Sequence, residues 1–306
     1  MTTGPGFSIA PLPLIGAGGE PVDLRRTLNS HGVASLPPST IDEEAWTLEV
    51  TLPIPRGART VRVARGRGRT ATVELLGRPL GERARATLME QLRHMLRLDE
   101  DLSGFYAVAR EDPKLAWATA GAGRMLRSPT VFEDVVKTIC TTNCAWSGTV
   151  RMVTALVEEL GIPSPTGGRT FPSPAAMAEA GEDLYRDTAR AGYRGAYLRA
   201  LADAVASGEL DLEELAHPEL SDDEAEERLL ALPGVGPYAA AHVMLTSLGR
   251  YSRLVLDSWT RPTYAKLNGR KAADKTIIRA FRRYGEFAGL AFWLLLTQDW
   301  VPEDAG

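Results

Sequence analysis

The feature that most constrains this chain is a short reversal, Leu232-Pro233-Gly234-Val235-Gly236, set between two helical patterns. Before it, Ser221 with Glu224 three residues later makes a capping box that opens a helix. After it, 237–248 is a run of small apolar residues at helical length. Glycines two apart let a chain turn sharply while their N–H groups stay unshielded by side chains. Those groups stand at the start of the next helix, where the helix dipole favours an anion. A backbone phosphate is the natural ligand of such a concavity. A bare Gly-x-Gly is more often a plain connection in an α-bundle, so the flanking residues decide.

Asp257 is the most telling of them. From Tyr238 there is room for one helix of about 18 Å and a short return loop, so the carboxylate comes back towards the reversal. It sits in Val255-Leu256-Asp257-Ser258-Trp259, an apolar approach to a helix start, where its plain role is an N-cap. Pro262 would then fall at the fifth helical position, losing a backbone bond and clashing. Either the helix starts later or its first turn is distorted.

Elsewhere the chain divides by pattern. Residues 1–80 read as a β-rich domain, with strand-like alternation at 45–52, 60–63 and 70–76 between Pro and Gly turns. Residues 81–306 read as a larger all-helical domain, with the helix-hairpin-helix at about 221–248. Helices are expected over 82–98, from Ser128-Pro129 with serine as cap, over 147–160 ending at Gly161, and over 175–179, 181–191, 196–207, 272–283 and 287–297. Residues 1–6 are expected to be a loose tail. The fold class is α+β.

At 306 residues, 44% hydrophobic and 24% charged, the chain is globular and long enough for one large or two smaller domains. No apolar run reaches a membrane span and no signal-peptide pattern opens the chain, so the expectation is a cytoplasmic, nucleoid-associated monomer. Cys140 and Cys144 suit two reduced, buried thiols, and His31, His94, His217 and His242 make no ligand pattern. Neither metal nor cofactor is expected. A net charge of −4 argues against coating nucleic acid by bulk charge. It leaves open a local basic face: Arg56, Arg59, Arg62, Arg65, Arg67 and Arg69 lie together with no acid among them. A solvated strand edge is at least as good a reading of them as DNA contact.

Taken with these motifs, the chain resembles the helix-hairpin-helix superfamily of base-excision DNA glycosylases, closest to the branch of 8-oxoguanine and 3-methyladenine (alkylation-repair) enzymes. The resemblance runs from about Leu96 to Trp300 and more loosely covers the β-rich start. It is carried by Ile139-Cys140-Thr141-Thr142-Asn143, by Phe171-Pro172-Ser173-Pro174, by Gly192-Tyr193-Arg194-Gly195-Ala196-Tyr197-Leu198, by the reversal and by Asp257. It implies that Asp257 is catalytic and that Gly234, Val235, Gly236, Asn143, Tyr193 and Arg194 contact double-stranded DNA holding a damaged base. Tyr193 and Arg194 would engage the widowed base, and their plain readings are a core aromatic and a surface cation.

The departures narrow the activity. Lyase members carry a lysine two residues after the second glycine, and Tyr238 stands there; a phenol forms no imine. The expectation is a monofunctional glycosylase without AP-lyase activity. Oxoguanine readers use a glutamine on the last helix, where Phe292 stands and cannot make those hydrogen bonds. The iron–sulfur branch needs four cysteines near the C-terminus, and none follows Cys144. A base pocket of Tyr238, Trp259, His242 and Phe292 suits an alkylated purine, whose cationic ring stacks well. The alternatives are an oxidised or deaminated base, a helix-hairpin-helix protein that binds DNA without chemistry, and a helical protein-interaction domain.

Overall fold

The structure, a computed structural model, describes residues 6–302. Six strands build one antiparallel sheet: β1 (Gly6–Ser8), β2 (Leu12–Pro13), β3 (Ser39–Asp42), β4 (Thr47–Ile54), β5 (Gly57–Arg65) and β6 (Thr70–Leu76). The order is β1-β6-β5-β4-β3, with β2 also on β6. The expected tail lies outside the described residues except for Gly6, which opens β1 opposite Leu76. A short helix, α1 (Leu24–Leu28), is capped by the Asp23 carboxylate.

The sheet follows from alternation. Leu48 and Val50 of β4 pair with Val63 and Val61 of β5, and Val63 pairs with Val73 of β6. All are buried on one face, covered by Leu88, Leu92 and Met95 of helix α2 (Glu82–Met95). One arginine of the run is answered from the neighbouring strands. Arg62 lies opposite Glu49 and Glu74 in register and pairs with them at 2.8 and 3.9 Å. For Arg62, acids absent along the chain are thus supplied across the ladder.

Ten further α-helices follow among the described residues. They are α3 (Ser103–Arg110), α4 (Val131–Thr141), α5 (Trp146–Leu160), α6 (Pro174–Glu179), α7 (Arg194–Ala206), α8 (Asp222–Leu230), α9 (Pro237–Val243), α10 (Thr260–Leu267), α11 (Asp274–Phe281) and α12 (Ala288–Thr297). None of the described helices is long and apolar enough to cross a membrane. The capping box of Ser221 and Glu224 forms at the start of α8. The cap of α4 is Thr130 rather than Ser128. Its hydroxyl accepts from the Glu133 N–H, while the Ser128 N–H is drawn instead to the Asp134 carboxylate. The helix expected over 181–191 contracts to a π-type turn, Leu184–Thr188.

Two hydrophobic cores meet at α9. One contains Val135, Val136 and Ile139 of α4, Leu198 of α7, and Ala239, Ala240 and Val243 of α9. The other contains Tyr264 of α10, Phe281 of α11, Phe292 of α12, and Ala241 with Leu245 from the same helical segment as α9. A helix squeezed from both sides has room only for small side chains, which explains its run of alanines. Tyr238, at its start, packs against both cores.

Candidate active site

The reversal has the geometry its residues demand. The Val235 N–H donates to the Leu232 carbonyl at 3.1 Å, closing a turn with Pro233 second and Gly234 third. Gly234 has φ +83, the left-handed value that a type II turn requires at that place. A Cβ there would also lie 2.7 Å from the Tyr197 ring of α7, so the helix and the turn meet at van der Waals distance only because Gly234 has no side chain. Gly236 begins α9 with no side-chain cap. Among the described residues, no hydrogen bond engages the N–H of Gly234 or of Gly236. Val235 differs from both glycines: its N–H is spent inside the turn and its side chain is buried in the core.

Asp257 stands at a helix start, as the sequence suggested, and the question posed by Pro262 resolves. Helix α10 begins at Thr260, so the proline falls in its first turn, where a missing N–H costs nothing. Oδ1 of Asp257 accepts from the N–H groups of Trp259 and Thr260 at 2.8 and 2.6 Å. The N–H of Asp257 in turn donates to Thr260 Oγ1 at 2.8 Å. The other carboxylate oxygen, Oδ2, has no hydrogen bond or ion pair among the described residues.

Tyr238 is largely buried, and burial raises its pKa, with the Asp257 charge acting in the same direction and Thr141 against it. The Thr141 hydroxyl donates to the Thr138 carbonyl at 2.7 Å and stands 3.3 Å from the Tyr238 hydroxyl. Behind Tyr238 comes His242, ring centroids 5.8 Å apart, then His31 edge-on at 5.7 Å. His242 is closed off from solvent rather than lining an open pocket. Burial, and next the neighbouring His31, push its pKa down to about 3. His31 holds the Leu126 carbonyl at 2.7 Å, and burial lowers it to about 4.

The aromatic wall differs from the expected one. Trp259 is 37% exposed and packs on Trp293 at 5.7 Å and Trp300 at 5.3 Å. Phe292 does not join them. It is wholly buried between Tyr264 at 5.9 Å and Phe281 at 5.1 Å. One step along a helix turns a side chain by about 100°, and that step puts Trp293 on the face expected of Phe292. The signal that identifies it is the spacing of tryptophans against Trp259.

The remaining candidates gather around the end of α4. Asn143 has φ +45, and its amide donates to the Tyr193 hydroxyl at 3.4 Å. Tyr193, 54% exposed, lies edge-on to Tyr197 at 5.8 Å, and Tyr197 abuts Gly234. Asn143, Tyr193 and the reversal are therefore one connected surface. Arg194 is buried beneath it and is not a surface cation. Its guanidinium donates to the carbonyls of Thr142, at 3.0 Å from Nε, and Asn143, at 2.9 Å from Nη2, and stacks on the Tyr193 ring at 4.6 Å.

No family model matches the sequence. Among known proteins, the chain is 27% identical over 237 residues to a probable N-glycosylase/DNA lyase of Methanothermobacter thermautotrophicus, covering 69% of this chain and 74% of that one. It is 31% identical over 235 residues to the N-glycosylase/DNA lyase OGG1 of Arabidopsis thaliana, covering 71% of this chain and 62% of that one. The fold matches that of the 3-methyladenine DNA-glycosylase of Archaeoglobus fulgidus with a TM-score of 0.73 at 22% identity, over 95% of this chain and 99% of that structure. With the hairpin and the helix-start aspartate in place, the chain is similar in sequence and in fold to base-excision DNA glycosylases of the helix-hairpin-helix type.

Proposed function

We propose that the protein is a monofunctional DNA glycosylase that flips an alkylated purine out of double-stranded DNA and cleaves its N-glycosidic bond. The observation that carries the reading is Tyr238. By the resemblance it stands where lyase members carry the attacking lysine, and its hydroxyl lies 3.3 Å from that of Thr141. A phenol so placed forms no Schiff base, and hydrolysis is the chemistry left to the site.

In this reading the open N–H groups of Gly234 and Gly236 hold a backbone phosphate at the start of α9. Asn143 and Tyr193 face the duplex where the base has left. Departure of the base builds positive charge on the sugar, which the carboxylate of Asp257 stabilises while it orients water. The tryptophan group of Trp259, Trp293 and Trp300 supports the alkylated purine, because a cationic ring stacks well on indole. His242 and Phe292 act behind this surface, as packing for Tyr238 and α12.

The test is a panel of duplexes carrying 3-methyladenine, 7-methylguanine, hypoxanthine, uracil or 8-oxoguanine, scored for abasic sites with and without alkali, and for borohydride-trapped covalent complex. Release of an alkylated purine, with strand cleavage only after alkali, is expected. The names of the two relatives, each an N-glycosylase/DNA lyase, favour a second reading. Excision of 8-oxoguanine with nicking and a trapped complex would establish that reading and overturn the first.

A further inference from the structure

Resting on the reading of Asp257 as the reacting carboxylate, we infer that Thr260 is a positioning residue that locks that carboxylate by a reciprocal cap. The two residues bond in both directions: the Thr260 N–H donates to Asp257 Oδ1, and the Asp257 N–H donates to Thr260 Oγ1. Trp259 adds a second N–H to the same Oδ1 at 2.8 Å. Thr260 is wholly buried, so no water competes for its hydroxyl.

The consequence is a division of labour between the two carboxylate oxygens. A carboxylate at the start of a helix ordinarily swings among rotamers and satisfies whichever N–H groups come near. Here Oδ1 is committed to the turn, and the main chain of Asp257 is itself pinned by the hydroxyl three residues on. The torsions that aim Oδ2 are thereby fixed before a substrate arrives. Orientation of this kind lowers the barrier without tightening binding, since the carboxylate acts on charge that develops only as the base leaves.

Valine keeps the β-branched shape of threonine and removes only the hydroxyl acceptor, whereas serine keeps the acceptor. The experiment measures single-turnover excision from dimethyl-sulfate-treated duplex and affinity for a duplex holding a tetrahydrofuran abasic analogue, with melting temperature as a fold control. Thr260→Val is expected to lower the excision rate about 10-fold while analogue affinity stays within about 2-fold. Thr260→Ser is expected to recover most of the rate. Thr260→Val excising at the parental rate, or Thr260→Ser failing as badly as valine while both remain folded, overturns the inference. Asp257→Asn separates this from the underlying reading: if it retains parental activity the reading of Asp257 fails, and if it is inactive while Thr260→Val is unimpaired only the cap fails.

Discussion

Two turns flank the hairpin, and each places a charged side chain at a helix end. At Asp257 an anion meets the N–H groups that open α10; at Arg194 a cation meets the carbonyls of Thr142 and Asn143, just past the end of α4. The first complements the helix dipole. They differ in what is left over. Asp257 spends one oxygen on the turn and keeps Oδ2 unengaged among the described residues. Arg194 commits Nε and Nη2 to Thr142 and Asn143, with Nη1 directed at the Ala191 carbonyl. The first charge remains available for chemistry, and the second is consumed in holding the chain. A charged residue near a candidate site is thus judged by its unspent hydrogen-bonding capacity rather than by its charge.

Asp257→Asn breaks the comparison most severely. The amide preserves shape and can still accept through one oxygen, but it carries no negative charge to set against the developing cation. Loss of one preorganised electrostatic group costs about 100- to 1000-fold in rate. Excision should fall by that much, with affinity for an abasic-analogue duplex kept or raised.

A third kind of charge site lies behind Tyr238, where His31 and His242 are buried and neutral. Both folded pKa values, about 4 and about 3, lie below the ordinary value of 6.5. The unfolded chain therefore takes up protons first as the pH falls, so stability declines from about pH 6.5 down to those folded values. Each histidine should cost about 2 kcal/mol by pH 5. Denaturant melts from pH 8 to pH 5 test this, and His242→Phe should flatten the slope by less than half, because burial also lowers His94 to about 4.

Much of this was legible in the sequence because it rests on local rules. The reversal, the capping box of Ser221 and Glu224 and the return of Asp257 to a helix start all depend on residues a few positions apart. What was not legible depends on which face of an element meets which neighbour. Arg194 read as a contact to the widowed base, or plainly as a surface cation, because nothing along the chain reveals that the carbonyls of Thr142 and Asn143 lie against it. Phe292 and Trp293 are adjacent, and only the packing of Tyr264 and Phe281 on one side and Trp259 on the other tells them apart. Arg62 of β5 looked unanswered because its acids belong to β4 and β6.

Gly234→Ala tests the turn between the two charge sites. The φ of +83 strains any L side chain, and the new methyl group would press on Tyr197. A loss of about 2 kcal/mol is expected. Duplex binding should weaken further than the folded fraction alone predicts, because displacing Tyr197 also moves Tyr193 and the N–H groups of the turn.

The smallest expected effect belongs to Arg194, and it sharpens the contrast with Asp257. Arg194→Lys keeps the charge and removes the fork. A single ammonium can satisfy one carbonyl of the pair but not hold both in one plane. Destabilisation of about 1 kcal/mol is expected, rising to about 2 kcal/mol for Arg194→Met, which leaves both carbonyls without their donor. If the guanidinium is structural, duplex affinity per folded molecule stays level in both variants, and so does its dependence on salt. A shallower salt dependence in Arg194→Met would mean that the cation meets a phosphate after all, and the two turns would then be alike in keeping charge in reserve.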